Sequence, residues 1–177
     1  MEKRKWLVLN YNLPTEPSRY RVATWRGLKK LGAVNVQQSM WILPYNEINY
    51  SALQKIAQEI EINSGDALLM ESVCVEERYE EKVMLNFNTI RDEEYKECIS
   101  ECEEYLKEIE KEISIEKFTF AELEEEEEEL QKLISWYNKI EARDIFHSSE
   151  RNFAKGIQEQ IKNAFERYSK LVYQHNE

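Results

Sequence analysis

The chain has few of the residues that break or cross-link a polypeptide. It contains 4 Gly, 3 Pro and 3 Cys among 177 residues. So little Gly and Pro excludes a collagen-like or low-complexity chain, and a hydrophobic content of 42% excludes global disorder. Cys74, Cys98 and Cys102 cannot make a paired disulfide framework, so we expect a reducing, cytoplasmic location.

Long apolar segments are also missing. No apolar run approaches the ~20 residues that span a bilayer, and the first residues show no secretion signal. His147 and His175 stand apart, without the paired spacing of a zinc site. Phosphate-binding Gly-rich loops, nucleophile elbows and metalloprotease motifs do not occur either. We therefore expect no membrane attachment, no metal or cofactor, and no enzymatic activity.

Charge is distributed very unevenly along the chain. The net charge is −11, but residues 1–45 hold eight Lys or Arg and two Glu, a net charge of +6, and the remainder carries −17. A basic N-terminal segment can attract an anion or a nucleic acid, whereas the acidic remainder repels both. The alternative is that both are solvated surfaces that aid solubility.

Local patterns over the first half predict alternating strands and helices. Apolar and β-branched runs indicate strands, and apolar residues at helical spacing indicate helices. The order strand, helix, strand, strand, helix, strand predicts a ferredoxin-like βαββαβ domain over residues 1–90, with both helices on one face of an antiparallel sheet. The predicted elements are Trp6–Tyr11, Ser18–Leu31, Val34–Gln38, Met40–Leu43, Tyr50–Ile62 and Ala67–Val75.

Both faces of the predicted sheet are apolar. In the first strand Trp6 and Val8 alternate with Leu7 and Leu9. A half-exposed sheet normally alternates apolar with polar residues, so the face without helices also needs a cover. We expect this cover to be the helical half or a second subunit, and a homodimer is the expected assembly. The predicted interface residues are Trp6, Trp25 and Trp41.

Residues 91–177 are dense in charge and predict a helical hairpin or three-helix bundle beginning near Arg91. The fold class is therefore α+β. Cys98 and Cys102 are one helical turn apart and could bind a metal or form a redox pair, but their apolar surroundings favour the core. The six glutamates of Glu124–Glu129 could chelate a cation, but a solvated helix face is favoured.

Several separated segments of the N-terminal half occur in the order found in one known family. They are Trp6–Leu9, Leu13–Glu16, Arg19–Gly32 and Met40–Pro44. A further segment, Ala142–Phe146, has an aspartate followed by an aromatic residue and includes Arg143 and Asp144, where we expect a local ion pair.

These segments resemble the N-terminal family of the ChrB chromate-resistance regulators. The resemblance implies a ferredoxin-like fold, dimerisation and chromate-responsive regulation. The chain departs from full ChrB proteins in lacking their second, C-terminal domain. A more distant likeness links the region to the central domain of the PaaX repressors and to small CRISPR adaptation proteins.

The first predicted helix carries the candidate binding site. Arg19, Arg26 and Lys30 fall within about 40° of one another on an ideal helix, and Arg21 and Lys29 lie nearby. Fixed cationic donors of this kind bind phosphate or other oxyanions. The sequence leaves chromate or another oxyanion, DNA, and an ordinary solvated helix face as alternatives.

Related ferredoxin-like nucleases hold a metal with an acid at the end of the first strand. Here that position reads Asn10-Tyr11-Asn12, and neutral amides bind hard divalent cations less well than carboxylates. This argues against nuclease chemistry. The sequence therefore favours a regulatory or accessory protein of the ChrB type. The alternative is a non-catalytic protein-interaction module that acts through its helical half.

Overall fold

The computed structural model describes residues 2–177 as an α+β chain that divides into two compact units. The first unit extends to Phe87 and the second covers Asn88–Glu177, compared with the predicted division at residues 90 and 91. The elements are β1 (Lys5–Asn12), α1 (Ser18–Leu31), β2 (Val34–Gln37), β3 (Met40–Pro44), α2 (Glu47–Ile62), β4 (Asp66–Val73), α3 (Glu77–Ser114), α4 (Phe120–Arg143) and α5 (Arg151–Asn176).

The sheet of the first unit has the strand order β2-β3-β1-β4, and every neighbouring pair is antiparallel. The central strand β1 pairs with both β3 and β4, so that Leu7 lies between Leu43 and Glu71. This order, reached through two strand-helix connections, is that of a ferredoxin-like domain. The predicted fold of the N-terminal half is confirmed.

Local signals explain where the two helices of this unit begin and end. Helix α1 ends at the predicted position because Gly32 adopts a left-handed conformation, with φ of 82°, and its N–H bonds back to the helix. Helix α2 begins at Glu47 rather than Tyr50. Asn46 caps it, since its side-chain oxygen accepts the N–H of Asn49 at 2.7 Å.

The two sheet faces are covered to different extents. One core is complete, with Leu7, Leu9 and Leu43 at most 1% exposed together with buried residues of α1 and α2. On the other face Trp6 is 2% exposed and its ring lies 5.9 Å from that of Phe87, in the first turns of α3. The residue that covers Trp6 therefore belongs to α3. This helix begins at Glu77, earlier than the predicted start near Arg91.

The interface prediction for two of the tryptophans is wrong. Trp6 and Trp41 are only 2% and 7% exposed within this chain, so neither presents its side chain to a second subunit. Leu68 and Met70 of the edge strand β4 remain 56% and 41% exposed on the Val8 face. A partner that covers them, and the homodimer itself, stay predictions.

The second unit is entirely helical, as predicted. One apolar cluster joins residues of α3, α4 and α5, from Tyr95 to Val172. Cys98 and Cys102 lie inside it, at 1% and 0% exposure, and the side chain of Gln158 donates to the Cys102 sulfur at 3.3 Å. The prediction that these cysteines belong to the core is confirmed. Among the helices described over residues 2–177, none is both long and apolar enough to cross a membrane.

Candidate functional site

Helix α1 presents a strongly basic face to solvent. Its buried residues are Thr24 and Leu28, and the rest of its circumference carries five cations and no acidic residue. These five side chains define the basic face of α1. They are Arg19, Arg21, Arg26, Lys29 and Lys30, of which Lys29 is half-buried and the others are exposed.

The contacts of the basic face order its side chains without neutralising them. Arg19 donates to the hydroxyl of Tyr20 at 2.8 Å, and its guanidinium lies 4.8 Å from the centre of that ring. Arg21 donates to the backbone carbonyl of Thr15 at 3.0 Å. No carboxylate of the described chain lies within 4.0 Å of any cation of this face. The positive charges of the candidate residues are therefore not paired within the described chain.

Many cations elsewhere in the chain do have a carboxylate partner. Lys5 in β1 pairs with Glu71 at 2.7 Å. Lys107, Lys111 and Lys162 each pair with a glutamate three residues earlier on the same helix. Ion pairing is the expected state in a chain with 35 acidic and 24 basic residues. Helix α1 differs from the other helices in holding five cations, none of which has an ion pair with the described residues, and no acidic residue.

An exposed tryptophan lies within the basic face. Trp25 is 48% exposed, and the ammonium of Lys29 is 4.8 Å from the centre of its ring. Val22, one turn earlier, is 41% exposed. The contact of Trp25 with a partner stays a prediction. The ring face that Lys29 does not occupy can accept an aromatic base.

The motif residues of the helical unit do not form the predicted pair. Arg143 contacts the carboxylate of Glu94 at 3.2 Å. Asp144, which is 6% exposed, instead accepts the Tyr95 hydroxyl at 3.1 Å and the backbone N–H of Ser148 at 2.9 Å. Arg143 and Asp144 therefore connect the end of α4 to α3 and to the following turn.

Two further residues of α3 complete this network and were missed by the sequence analysis. Arg91 is 2% exposed and shares the Glu94 carboxylate at 3.2 Å, and burial lowers the pKa of its guanidinium. Asp92 accepts the hydroxyls of Ser148 and Ser149 and the N–H of Glu150, at the start of α5. These partners are 56 to 58 residues apart, beyond the reach of any local pattern.

Burial also changes the titration of the tyrosine in this network. Desolvation, reinforced by the neighbouring Asp144 carboxylate, raises the pKa of Tyr95 well above its ordinary value. Its hydroxyl therefore stays protonated and remains a donor to Asp144 at any physiological pH. Because the Tyr95 hydroxyl donates to Asp144 and not to solvent, we assign the network a structural role.

Comparison with known proteins decides the family. The sequence model of the family described as "Protein ChrB, N-terminal" matches residues 21–177. The chain belongs to the ChrB N-terminal family. The match begins inside α1 and continues through α5, so the family's N-terminal region includes the helical unit. Protein ChrB of Cupriavidus metallidurans is 29% identical over 96 residues, which are 54% of this chain and 29% of that protein.

Family membership confirms the resemblance drawn from the sequence and associates the chain with chromate resistance. Arg21, Arg26, Lys29 and Lys30 lie inside the family match, whereas Arg19 precedes it. The Arg143-Asp144 motif lies inside it as well. Because the aligned region spans 29% of the length of the Cupriavidus protein, the activity of that whole protein does not transfer to this chain.

Proposed function

We propose that this chain is a regulatory or accessory protein of the ChrB type, and that the basic face of α1 binds the phosphate backbone of a nucleic acid. The proposal has no catalytic step. The observation that supports it is a helix with five cations, no acid and no ion pair, in a chain of net charge −11. Fixed, unpaired cations of this kind supply the sequence-independent part of nucleic-acid binding.

The length of the basic face favours a polymer over a small ion. Arg19 and Lys30 are eleven positions apart on one helix, a separation of about 16 Å along its axis. A tetrahedral oxyanion such as chromate would contact only one or two of these side chains. Duplex DNA carries one negative charge per ~1.7 Å of its axis and can engage the whole face. The exposed ring of Trp25 adds a surface on which a base could stack.

The acidic remainder of the chain opposes binding. The residues after position 45 carry a net charge of −17, and this field weakens the approach of any polyanion. We therefore expect modest affinity with a strong dependence on salt. With such an affinity, the amount of nucleic acid bound would change with the salt concentration.

The test is fluorescence anisotropy with labelled duplex DNA and purified protein. Arg26→Glu combined with Lys30→Glu should lower the affinity at least tenfold, because two attractive contacts become repulsive. Folding should be unaffected, since both side chains are exposed. Lys139→Glu combined with Lys170→Glu is the matched control, with the same charge change at exposed positions of α4 and α5. Equal affinity of the two double variants would contradict the proposal.

Competition distinguishes the oxyanion alternative. Chromate and sulfate are both tetrahedral dianions. A dedicated oxyanion site should therefore bind either anion at concentrations too low to change the ionic strength. The nucleic-acid proposal predicts that both displace DNA only as sodium chloride of the same ionic strength does. Binding of chromate without any binding of DNA would show that α1 serves the oxyanion alternative instead.

A further inference from the structure

A groove between α3 and α4 concentrates negative charge far beyond the average of the chain. It has a volume of about 570 Å³, and eight of its ten lining residues are glutamates, with Lys132 the one lysine among them. Along α3 the acids are Glu101, Glu104 and Glu108, which recur at intervals of about one helical turn. Glu122, Glu125 and Glu129 form a similar row along α4, so the groove has two acidic walls.

The floor of the groove holds a largely buried glutamate whose carboxylate has no partner among the described residues. Glu126 lies inside the run Glu124–Glu129 but is only 7% exposed, so the predicted solvated face is wrong at this position. Its backbone carbonyl accepts the hydroxyl of Tyr105 at 3.1 Å. No hydrogen bond or ion pair reaches its carboxylate from the described residues. Burial of most of this side chain disfavours its charged form, and a bound cation would offset that penalty.

Lysines already present pair with the walls and not with the floor. Glu104, Glu108 and Glu129 each contact a lysine three residues later, at 2.6 to 3.1 Å. Glu122 contacts Lys117 at 2.6 Å. Four other glutamates of the groove have no such contact in the described chain. They are Glu101, Glu125, Glu126 and Glu128.

We propose that this groove binds a linear polyamine, with one ammonium group on Glu126 and the others on the glutamates of the walls. The rows repeat at about 5.4 Å, close to the separation of two amines joined by three or four methylene groups. The described residues include no group of three or more acids, histidines or cysteines placed to hold a metal ion, which favours an extended cation over a compact one. The methylene groups can lie against Tyr105, which lines the groove.

Binding in this groove is linked to a proton. Burial and the nearby carboxylates, Glu108 first among them, raise the pKa of Glu126 to about 7. A bound ammonium group favours the ionised carboxylate, so binding should release a proton and tighten as the pH rises through 7. The groups whose charges interact with Glu126 are Tyr105, Glu108 and Glu112 of α3, Glu122 and Glu129 of α4, and Tyr168 of α5. Lys117, in the α3–α4 turn, pairs with Glu112 and Glu122.

The experiment is calorimetric titration of the full chain with spermidine and, separately, with magnesium chloride at matched ionic strength. Spermidine should bind about tenfold more tightly than magnesium, and its affinity should rise between about pH 6 and about pH 8. Glu126→Gln should weaken spermidine binding about fivefold or more and flatten this pH dependence. Glu103→Gln, an exposed position on α3 that does not line the groove, is the matched control and should leave both unchanged.

Three results would overturn the polyamine site. They are equal affinity for spermidine and magnesium, identical behaviour of the Glu126→Gln and Glu103→Gln variants, and binding of a lysine-rich peptide without binding of spermidine, which would assign the groove to a protein partner. If Glu126→Gln disturbs folding, Glu125→Gln combined with Glu128→Gln tests the same groove at exposed positions. That double variant should also weaken spermidine binding, and full retention of affinity would contradict the proposal.

Discussion

At the scale of the residue, Glu126 carries a carboxyl group whose surroundings disfavour its negative charge. The pKa of its carboxyl is raised to about 7 in the folded chain, from 4.5 for an ordinary glutamate, chiefly by burial. A raised carboxyl pKa makes folding less favourable as the pH rises from about 4.5 to about 7, because the unfolded chain releases that proton more easily. Glu126→Gln should therefore increase the free energy of unfolding by about 2 kcal/mol at high pH.

This gain should disappear below about pH 4.5, where the carboxyl is protonated in both the native and the unfolded chain. Urea denaturation at about pH 8 and about pH 4 measures it, with Glu103→Gln as the control that changes neither value. The same gain at both pH values would show that Glu126 does not titrate in this window.

Gly65 is a second residue whose identity the structure requires. A Cβ at this position would lie 2.5 Å from the carbonyl oxygen of Asn12 and 2.7 Å from the side chain of Leu13. Gly65→Ala should lower the free energy of unfolding by about 1 to 3 kcal/mol through overpacking. Gly156→Ala is the control, since nothing lies within 4 Å of its added Cβ. That exchange, inside α5, should raise stability by about 0.5 to 1 kcal/mol in thermal or urea unfolding.

At the scale of the element, the start of α5 is stabilised by Asp92, a residue of α3. Burial of Asp92 opposes its ionisation, but hydrogen bonds from Ser148, Glu150 and Ser149 hold the pKa of its carboxyl below the ordinary value. Asp92→Ala should lower the free energy of unfolding by about 1 to 2 kcal/mol at neutral pH. Glu93→Ala, at an exposed neighbouring position, should change it little.

The direction in which the pKa of Asp92 is shifted also determines how its contribution to stability depends on pH. A depressed carboxyl pKa stabilises the fold above the ordinary value of 3.8, and the stabilisation is lost as the pH falls through the lower, folded value. Equilibrium unfolding should therefore show the difference between Asp92→Ala and the native chain shrinking in strong acid. A difference that is constant with pH would mean that the carboxylate does not cap α5.

Elements with local signals were predicted well, and those set by distant partners were not. Pro17 and Gly32 flank α1, so both of its ends could be predicted from the sequence. The start of α3 was missed because Glu77 and Arg78 look like solvated residues, and only Phe87 shows why the helix must begin early. Glu126 did have a local signal. Leu123 and Leu130 set an apolar stripe that passes through position 126.

At the scale of the whole molecule, charge is the property that the sequence predicts best. The basic segment and the acidic remainder were both evident from composition, and the structure adds that the cations of α1 are unpaired. Contacts such as Arg143 with Glu94 could not be predicted, because the two residues are 49 positions apart. Sequence alone therefore indicated the basic segment that we propose as a polyanion site, but not which residues hold the helical unit together.

The salt dependence of DNA binding tests the central claim most directly. Anisotropy titrations of the native chain between about 50 and about 200 mM salt should give a steep linear fall of log affinity with log salt. Removing two phosphate contacts by Arg26→Ala and Lys30→Ala should reduce that slope by about two units, whereas Lys139→Ala and Lys170→Ala should leave it unchanged. A slope that is the same in all three proteins, or no DNA binding by the native chain even at low salt, would contradict the account.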